Sequence, residues 1–313
     1  MAGKILSGEI VFSPDETRII RKIYLNTLDG RTPETILFGK DVGTTRDAAS
    51  EVKDLFDGSV PFDTPKPTAL IQHLLSLSGA SGSDIVFDFF AGSGTSAQAV
   101  WQQNAGEEKN LRVVLTQLPE PVDPENKEQI TAAEVCDKLG KPRNIAELTK
   151  ERLRRAGKKI KEENPLFTGD LGFRVFKLAS SNIQAWEPDR DKLAETLEAS
   201  IEHLKTDRTE QDILFELLLK LGLDLCVPIE QKKIAGKDVY SIGGGVLLVC
   251  LPEKIKRAEV EALALGIVAW HKALAPAGDS TCVFRDSAFA DDVAKTNLSA
   301  ILQQHGLSTV RSL

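Results

Sequence analysis

The stretch from Asp84 to Leu118 constrains this chain more than any other. It opens with Asp84–Phe90, a short run of Ile, Val and Phe that has the length and composition of a buried parallel strand. A tight turn follows at Ala91-Gly92-Ser93-Gly94. Thr95–Asn104 then reads as a helix that Gly106 ends, and Arg112–Leu118 as the next strand. Strand, glycine turn, helix and strand make a βαβ unit, which requires a parallel sheet and hence an α/β domain.

The flanking sequence organises around that unit. Pro65-Lys66-Pro67-Thr68 opens a helix running through Leu77, with Leu70, Ile71, Leu74 and Leu75 on one face and Gly79 at its stop. Residues 1–60 are mixed. Glu9–Phe12 and Arg18–Leu25 are β-like, turn signals stand at Ser13-Pro14 and Asp29-Gly30, and Asp47–Phe56 is an amphipathic helix. This region reads as the tail of a larger unit. Downstream, Asp123–Lys138 begins irregular, Asn144–Glu163 is a charged helix, Phe173–Leu178 a strand and Ser180–Asp191 a linker. Helices at Asp212–Leu221, Ala258–Leu274 and Asp291–Gln304 then alternate with β segments. Those segments are a strand pair within Val239–Leu251 around Gly243-Gly244-Gly245, a strand at Thr281–Phe284 and a final one at Thr309–Leu313. The expected division is a tail over 1–60, an α/β domain over 61–185 and a smaller α/β domain over 190–313.

Composition narrows the function. A chain of 313 residues with 42% hydrophobic content can fill two cores. It shows neither an apolar stretch of membrane-spanning length nor a signal pattern, so a soluble, cytoplasmic protein without a membrane partner is expected. Cys136, Cys226, Cys250 and Cys282 are too far apart for CxxC pairs and read as reduced thiols. His73, His203, His271 and His305 are scattered, so no metal site is expected. The net charge of −7 argues against a stand-alone duplex-DNA binder, whose affinity comes largely from phosphate neutralisation.

A glycine turn between strand and helix lets a ligand approach the backbone, and three ligand classes compete for it. A P-loop needs Gly-Lys-Ser/Thr, and here Gly94 is followed by Thr95 and Ser96, which removes the phosphate-neutralising lysine. Gly92, Gly94 and Ala97 match the loose G-x-G-x-x-A spacing of dinucleotide folds. The third class is S-adenosylmethionine, cationic and free of phosphate. Asp88, at the carboxyl end of the strand, repels a pyrophosphate and attracts an ammonium, although the same aspartate suits a turn or helix cap. Lys66, on its stiff Pro-Lys-Pro segment, is placed to pair with a carboxylate or simply to face solvent. Gln117 and Glu120 offer acceptors for ribose hydroxyls, and Phe89, Phe90 and Leu118 offer cover for an adenine. Local features leave the cofactor, dinucleotide and purely structural readings open.

The combination Phe62-Asp63-Thr64-Pro65-Lys66-Pro67 with Asp88-Phe89-Phe90-Ala91-Gly92-Ser93-Gly94-Thr95 resembles the amino-group DNA methyltransferases whose catalytic motif precedes the cofactor motif. Gln117–Pro121, Ile145–Lys161, Leu171–Trp186 and Val283–Leu298 narrow the resemblance to the modification subunit of type III restriction–modification systems, across nearly the whole chain. The resemblance implies a Rossmann-like, S-adenosylmethionine-dependent methyltransferase half-domain followed by a subunit-interaction domain, and N6-methylation of adenine in DNA. It implies that Lys66, Pro67 and Thr68 contact the methionine end of the cofactor. Asp88, Phe89, Phe90, Ala91, Gly92, Ser93, Gly94 and Thr95 would form the main loop, with Gln117, Leu118 and Glu120 beyond it. Gln117 stands where many relatives carry an acidic residue. DNA, a restriction subunit and a second modification subunit are the implied partners.

One departure is large. These enzymes use an Asp/Asn-Pro-Pro-Tyr/Phe motif to hold the flipped base, and this sequence has no Pro-Pro dipeptide. In the family that motif and the target-recognition region precede the segment seen here. The chain therefore reads as a C-terminal portion without catalytic residues, inactive alone, with residues 1–60 the tail of the upstream region. The alternative is an assembly module with a vestigial cofactor fold. Two smaller readings complete the set. Lys150, Arg152, Arg154, Arg155, Lys158, Lys159 and Lys161 make a basic helix that either follows a phosphate backbone or is a solvated face balanced by Glu147, Glu151, Glu162 and Glu163, the second being preferred. Asp286, Asp291 and Asp292 read as strand-end and helix-start residues.

Overall fold

The computed structural model describes residues 2–22, 24, 33–186, 191–193 and 202–313, which form a mixed α/β protein. The turn expected at Asp29-Gly30 and the middle of the expected linker, 187–190, lie outside the described residues. Contacts divide the chain into two compact units, Met1–Phe173 and Arg174–Leu313, whereas sequence suggested breaks near 60 and between 185 and 190.

In the first unit, a short helix α1 (Ala2–Leu6) precedes a hairpin of β1 (Ile10–Phe12) and β2 (Ile19–Arg21). A one-turn helix α2 (Gly39–Val42) leads to α3 (Thr45–Leu55), where Thr44 and Asp47 form a reciprocal capping box. α4 (Thr68–Ser78) stops at Gly79 in the left-handed conformation, as its position predicts. β3 (Ile85–Asp88), α5 (Thr95–Glu107) and β4 (Arg112–Leu115) form the expected βαβ unit, β3 and β4 pairing in parallel with Phe87 opposite Val114. Gly106 does not end α5. The helix runs one residue past it and closes at Glu108 in the left-handed conformation. α6 (Ile130–Lys138) and α7 (Ile145–Glu163, capped by the Asn144 side chain) complete the unit.

Among the described residues only one face of the β3–β4 ribbon is covered. Val86 and Val113 pack with Leu75 of α4 and Val100 of α5, while Val113 and Leu115 also meet Ala97, Trp101, Leu153 and Ile160. On the other face Ile85, Phe87 and Val114 are exposed. A further core joins Val52, Leu55 and Phe56 to Ala132, Cys136, Leu148 and Ala156, so α3 is built into the same unit as α6 and α7.

The second unit carries a five-stranded mixed sheet in the order β5 (Ile229–Ile234), β6 (Lys237–Ile242), β7 (Leu247–Cys250), β8 (Thr281–Phe284), β9 (Thr309–Ser312). The first three strands are antiparallel and the last three parallel. α8 (Glu210–Lys220) covers one face through Leu214 and Leu218. α9 (Val260–Leu274) and α10 (Asp292–Gln304) cover the other through Leu263, Ile267, Leu298 and Leu302. β5 was not anticipated, because Glu230, Gln231, Lys232 and Lys233 hide a strand in a polar run. The strand expected at Phe173–Leu178 does not form. Among the described residues no strand pairs with it, and Val175, Phe176 and Leu178 are exposed. Asp291 caps α10 by accepting from the Ala294 amide, and Asp286 follows β8 and accepts from Lys295.

Candidate functional site

The sequence-selected residues converge at the carboxyl ends of β3 and β4. Gly92 and Gly94 adopt φ of 50° and 77°, which lets the chain leave β3 and enter α5 within a few residues. The turn's own amides are largely committed. Phe90 N–H donates to Asp88 Oδ1 at 3.1 Å, Ala91 N–H to the Thr116 carbonyl at 3.0 Å, and Gly94 N–H to the Ala91 carbonyl at 2.7 Å. Gly92 N–H donates to Gln117 Oε1 at 2.7 Å. A phosphate-binding turn keeps such amides for its ligand, so this one is poorly suited to a diphosphate.

Asp88 is half-buried, and its second oxygen accepts from the Ser96 hydroxyl at 2.5 Å. It is thus both a turn former and a carboxylate standing at the sheet's edge. Lys66 lies on the same rim. Its ammonium is exposed and donates to the Thr64 carbonyl at 3.2 Å, while its own carbonyl accepts from the Thr95 hydroxyl at 3.2 Å. Pro65 and Pro67 are buried on either side, so the segment is held by its prolines and the lysine side chain is left outside. The Thr68 amide donates to both Glu51 oxygens, tying the start of α4 to α3.

Three apolar side chains stand open beside the turn: Phe89 is 60% exposed, Phe90 81% and Leu118 66%. The two rings stack at a tilt with centroids 5.1 Å apart. Gln117 is spent as a brace, its oxygen on Gly92 and its nitrogen donating to the Leu118 carbonyl, which leaves the exposed Glu120 side chain as the freer acceptor. A carboxylate, an ammonium, flat apolar faces and a further carboxylate therefore share one rim. That donor set fits a zwitterionic amino acid joined to a nucleoside and carrying no phosphate.

Sequence reasoning missed what lies beneath the turn. Arg152 of α7 was counted with the basic face, and the structure corrects this: it is fully buried. Its Nη1 donates to the Ser93 carbonyl at 3.3 Å, the Ser93 hydroxyl at 2.8 Å and the Thr95 hydroxyl at 2.9 Å, and its Nε donates to Gln98 Oε1 at 3.0 Å. Burial lowers its pKa to about 10, opposed by the attraction of Glu51, so it stays charged at neutral pH. Burial likewise raises the Glu51 carboxyl, against the Thr68 hydrogen bonds and the pull of Arg152. Thr149, one turn earlier on α7, donates its hydroxyl to the Gly92 carbonyl at 2.5 Å. The signal was present: Arg152 falls on the stripe Leu148, Thr149, Leu153, Ala156, Ile160, where a solvated residue has no place.

Of the other basic residues, Arg154, Lys158, Lys159 and Lys161 are exposed, whereas Lys150 and Arg155 are half-buried. Lys150 pairs with Glu147, Arg154 with Glu151, and Arg155 with both Glu151 and Asp57. Lys158 and Lys159 approach Glu162 and Glu163 at 3.8 and 3.9 Å. Among the described residues no group of His, Cys, Asp and Glu is placed to hold a metal, and no helix is long and apolar enough to cross a membrane.

A family described as DNA methylase matches residues 30–112, which include the Pro-Lys-Pro segment, the glycine turn and α5. The chain is similar to the Mod subunit of the type III restriction-modification enzyme EcoP15I of Escherichia coli, 33% identical over 250 residues, covering 79% of this chain and 35% of that protein. It is similar to the StyLTI Mod subunit of Salmonella typhimurium, 28% identical over 58% of this chain and 26% of the relative. The EcoPI Mod subunit of Escherichia phage P1 is 27% identical over 72% and 32%. The chain thus spans between a quarter and about a third of the length of these relatives. The family match and all three relatives converge: over residues 30–112 the chain is similar to the DNA methylase family, and over most of its length to Mod subunits of type III restriction-modification enzymes.

Proposed function

We propose that the first unit carries the S-adenosylmethionine site of a DNA adenine-N6 methyltransferase with a Rossmann-like fold. The observation that carries the proposal is the hydrogen bond from Thr95 to the Lys66 carbonyl, which brings an ammonium-bearing segment to the turn that begins with the Asp88 carboxylate. Asp88 attracts the amino group of the methionine end and Lys66 its carboxylate, with Pro67 and Thr68 shaping that side. Phe89, Phe90 and Leu118 cover the adenine, Glu120 accepts from the ribose hydroxyls, and Ala91 through Thr95 form the floor. When bound, the cofactor supplies an electrophilic methyl group on sulfur.

The base-holding Asp/Asn-Pro-Pro-aromatic motif is absent from this sequence, so the chain by itself binds cofactor without methylating DNA. DNA, a restriction subunit and a second modification subunit are the partners of the complete assembly. The second unit serves as its subunit contact. A second reading, an assembly module with a vestigial cofactor fold, draws on the fact that Asp88 already holds Ser96 and the Phe90 amide.

Calorimetry with S-adenosylmethionine and sinefungin separates the two. Asp88→Asn keeps an acceptor for the Phe90 amide but removes the charge, and cofactor affinity should fall at least about tenfold, equivalent to 1.4 kcal/mol. Absence of binding by the unaltered chain overturns the cofactor reading. Methyl transfer to DNA by the purified chain overturns its inactivity.

A further inference from the structure

Arg152 and Thr149 stand outside the matched segment 30–112, yet both grip the turn inside it. We propose that α7 is a working part of the cofactor site, with Arg152 and Thr149 as positioning residues that hold the Gly92–Thr95 backbone in its ligand-accepting shape. The inference rests on the cofactor reading of that turn and adds to it the helix that makes the turn rigid.

Arg152 is fully buried, and because burying a charge without partners is expensive, the partners its guanidinium does find show what holds it there. Arg152 meets four oxygens, and all four belong to the turn or to α5 directly after it. None is a carboxylate, and Nη2 is buried with no partner. A guanidinium needed only to glue two helices is better served by a direct carboxylate, or replaced by a leucine. Here the fork is aimed at Ser93 and Thr95, the residues that link the turn to the Lys66 segment.

Thr149 secures the other end. Its hydroxyl reaches both the Gly92 carbonyl and, four residues back on its own helix, the Ile145 carbonyl at 2.9 Å. Its methyl and Leu153 close on Gly94 so tightly that a Cβ there would lie 3.0 Å from Thr149 Cγ2. The turn is pinned at Gly92 and Ser93 by hydrogen bonds and at Gly94 by contact, while Thr95 passes the constraint to Lys66. A loop fixed before its ligand arrives loses less conformational entropy on binding, which raises affinity without touching the ligand.

The test uses the whole 313-residue chain. Thr149→Val removes the hydroxyl at nearly constant volume, and Thr149→Ser restores it. Arg152→Lys keeps the charge without the fork, and serves if Arg152→Met does not fold. Hydrogen exchange of the ligand-free protein should rise about five- to tenfold over residues 90–95 in Thr149→Val and Arg152→Lys, with β4 and α6 unchanged. Dissociation constants for S-adenosylmethionine should rise about tenfold, and Thr149→Ser should recover both values. Lowered melting temperature with unaltered turn exchange and unaltered affinity assigns the pair a purely structural role and overturns the proposal. An unaltered chain that ignores the cofactor, with turn exchange still accelerated in the variants, defeats the cofactor reading and the positioning role together while leaving the brace intact.

Discussion

The Thr95 hydroxyl donates to the Lys66 carbonyl across 29 residues of sequence, and it accepts in turn from the buried Arg152 guanidinium. Three segments with no local relationship are thereby tied at one oxygen atom: the Pro-Lys-Pro entry to α4, the first residue of α5 and the middle of α7. The rim that carries Lys66 and Asp88 is built on this junction.

Gly94→Ala should destabilise the first unit by about 1–3 kcal/mol. A φ of 77° is costly for any residue with a Cβ, and that carbon would press on Thr149 Cγ2. Gly82, also at positive φ but with open space around it, is the control, and its alanine variant should cost less. Thermal or urea unfolding of both variants measures the difference.

Acid should loosen the second unit through Glu216. Burial opposes its ionisation, but hydrogen bonds from Ser181, the Asn182 amide and Lys220 outweigh this and hold the carboxyl at about 2. A carboxyl whose pKa is lowered by folding contributes stability above its ordinary value of 4.5, and that contribution is lost as pH falls from 4.5 towards 2. Glu216→Gln should remove on the order of 2–3 kcal/mol at pH 7 and flatten the acid limb of the stability curve. Urea midpoints from pH 7 to 3 provide the check.

Thiol chemistry should single out Cys226. It is exposed, whereas Cys136, Cys250 and Cys282 are buried, and burial raises the thiols of Cys250 and Cys282 to about 12. One equivalent of maleimide should react within minutes under native conditions, and the remaining three only after denaturation. Fast labelling of a second site by mass spectrometry would contradict the packing of the core that holds it, that of the first unit for Cys136 and of the second for Cys250 or Cys282.

On α7, Arg155→Ala should cost about 1 kcal/mol, whereas Lys158→Ala and Lys159→Ala should each fall within about 0.5 kcal/mol of the parent. Arg155 donates to the Leu55 carbonyl and Asp57 and lies over the Phe56 ring, so it ties α7 to the end of α3. The lysines make only exposed pairs near the 4 Å limit. In a complete enzyme, reversing Arg154 and Arg155 should leave DNA affinity at low salt unchanged.

Local signals carried much of the fold. The caps at Asn144 and Asp291, the left-handed stop at Gly79 and the period of the β3–α5–β4 unit are all written within a few residues of where they act, because a cap or a turn answers to its immediate neighbours. Tertiary structure alone decided the rest. β5 is a strand because β6 offers it a ladder, despite a sequence that is polar at four of six positions. Phe173–Leu178 has strand-like composition, but among the described residues no strand offers it a ladder, so it stays outside the sheets. Arg152 is the sharpest case. Its acceptors lie 54 to 59 residues away, and only the approach of α7 to the glycine turn turns a charge that reads as solvent-facing into the support of the candidate site.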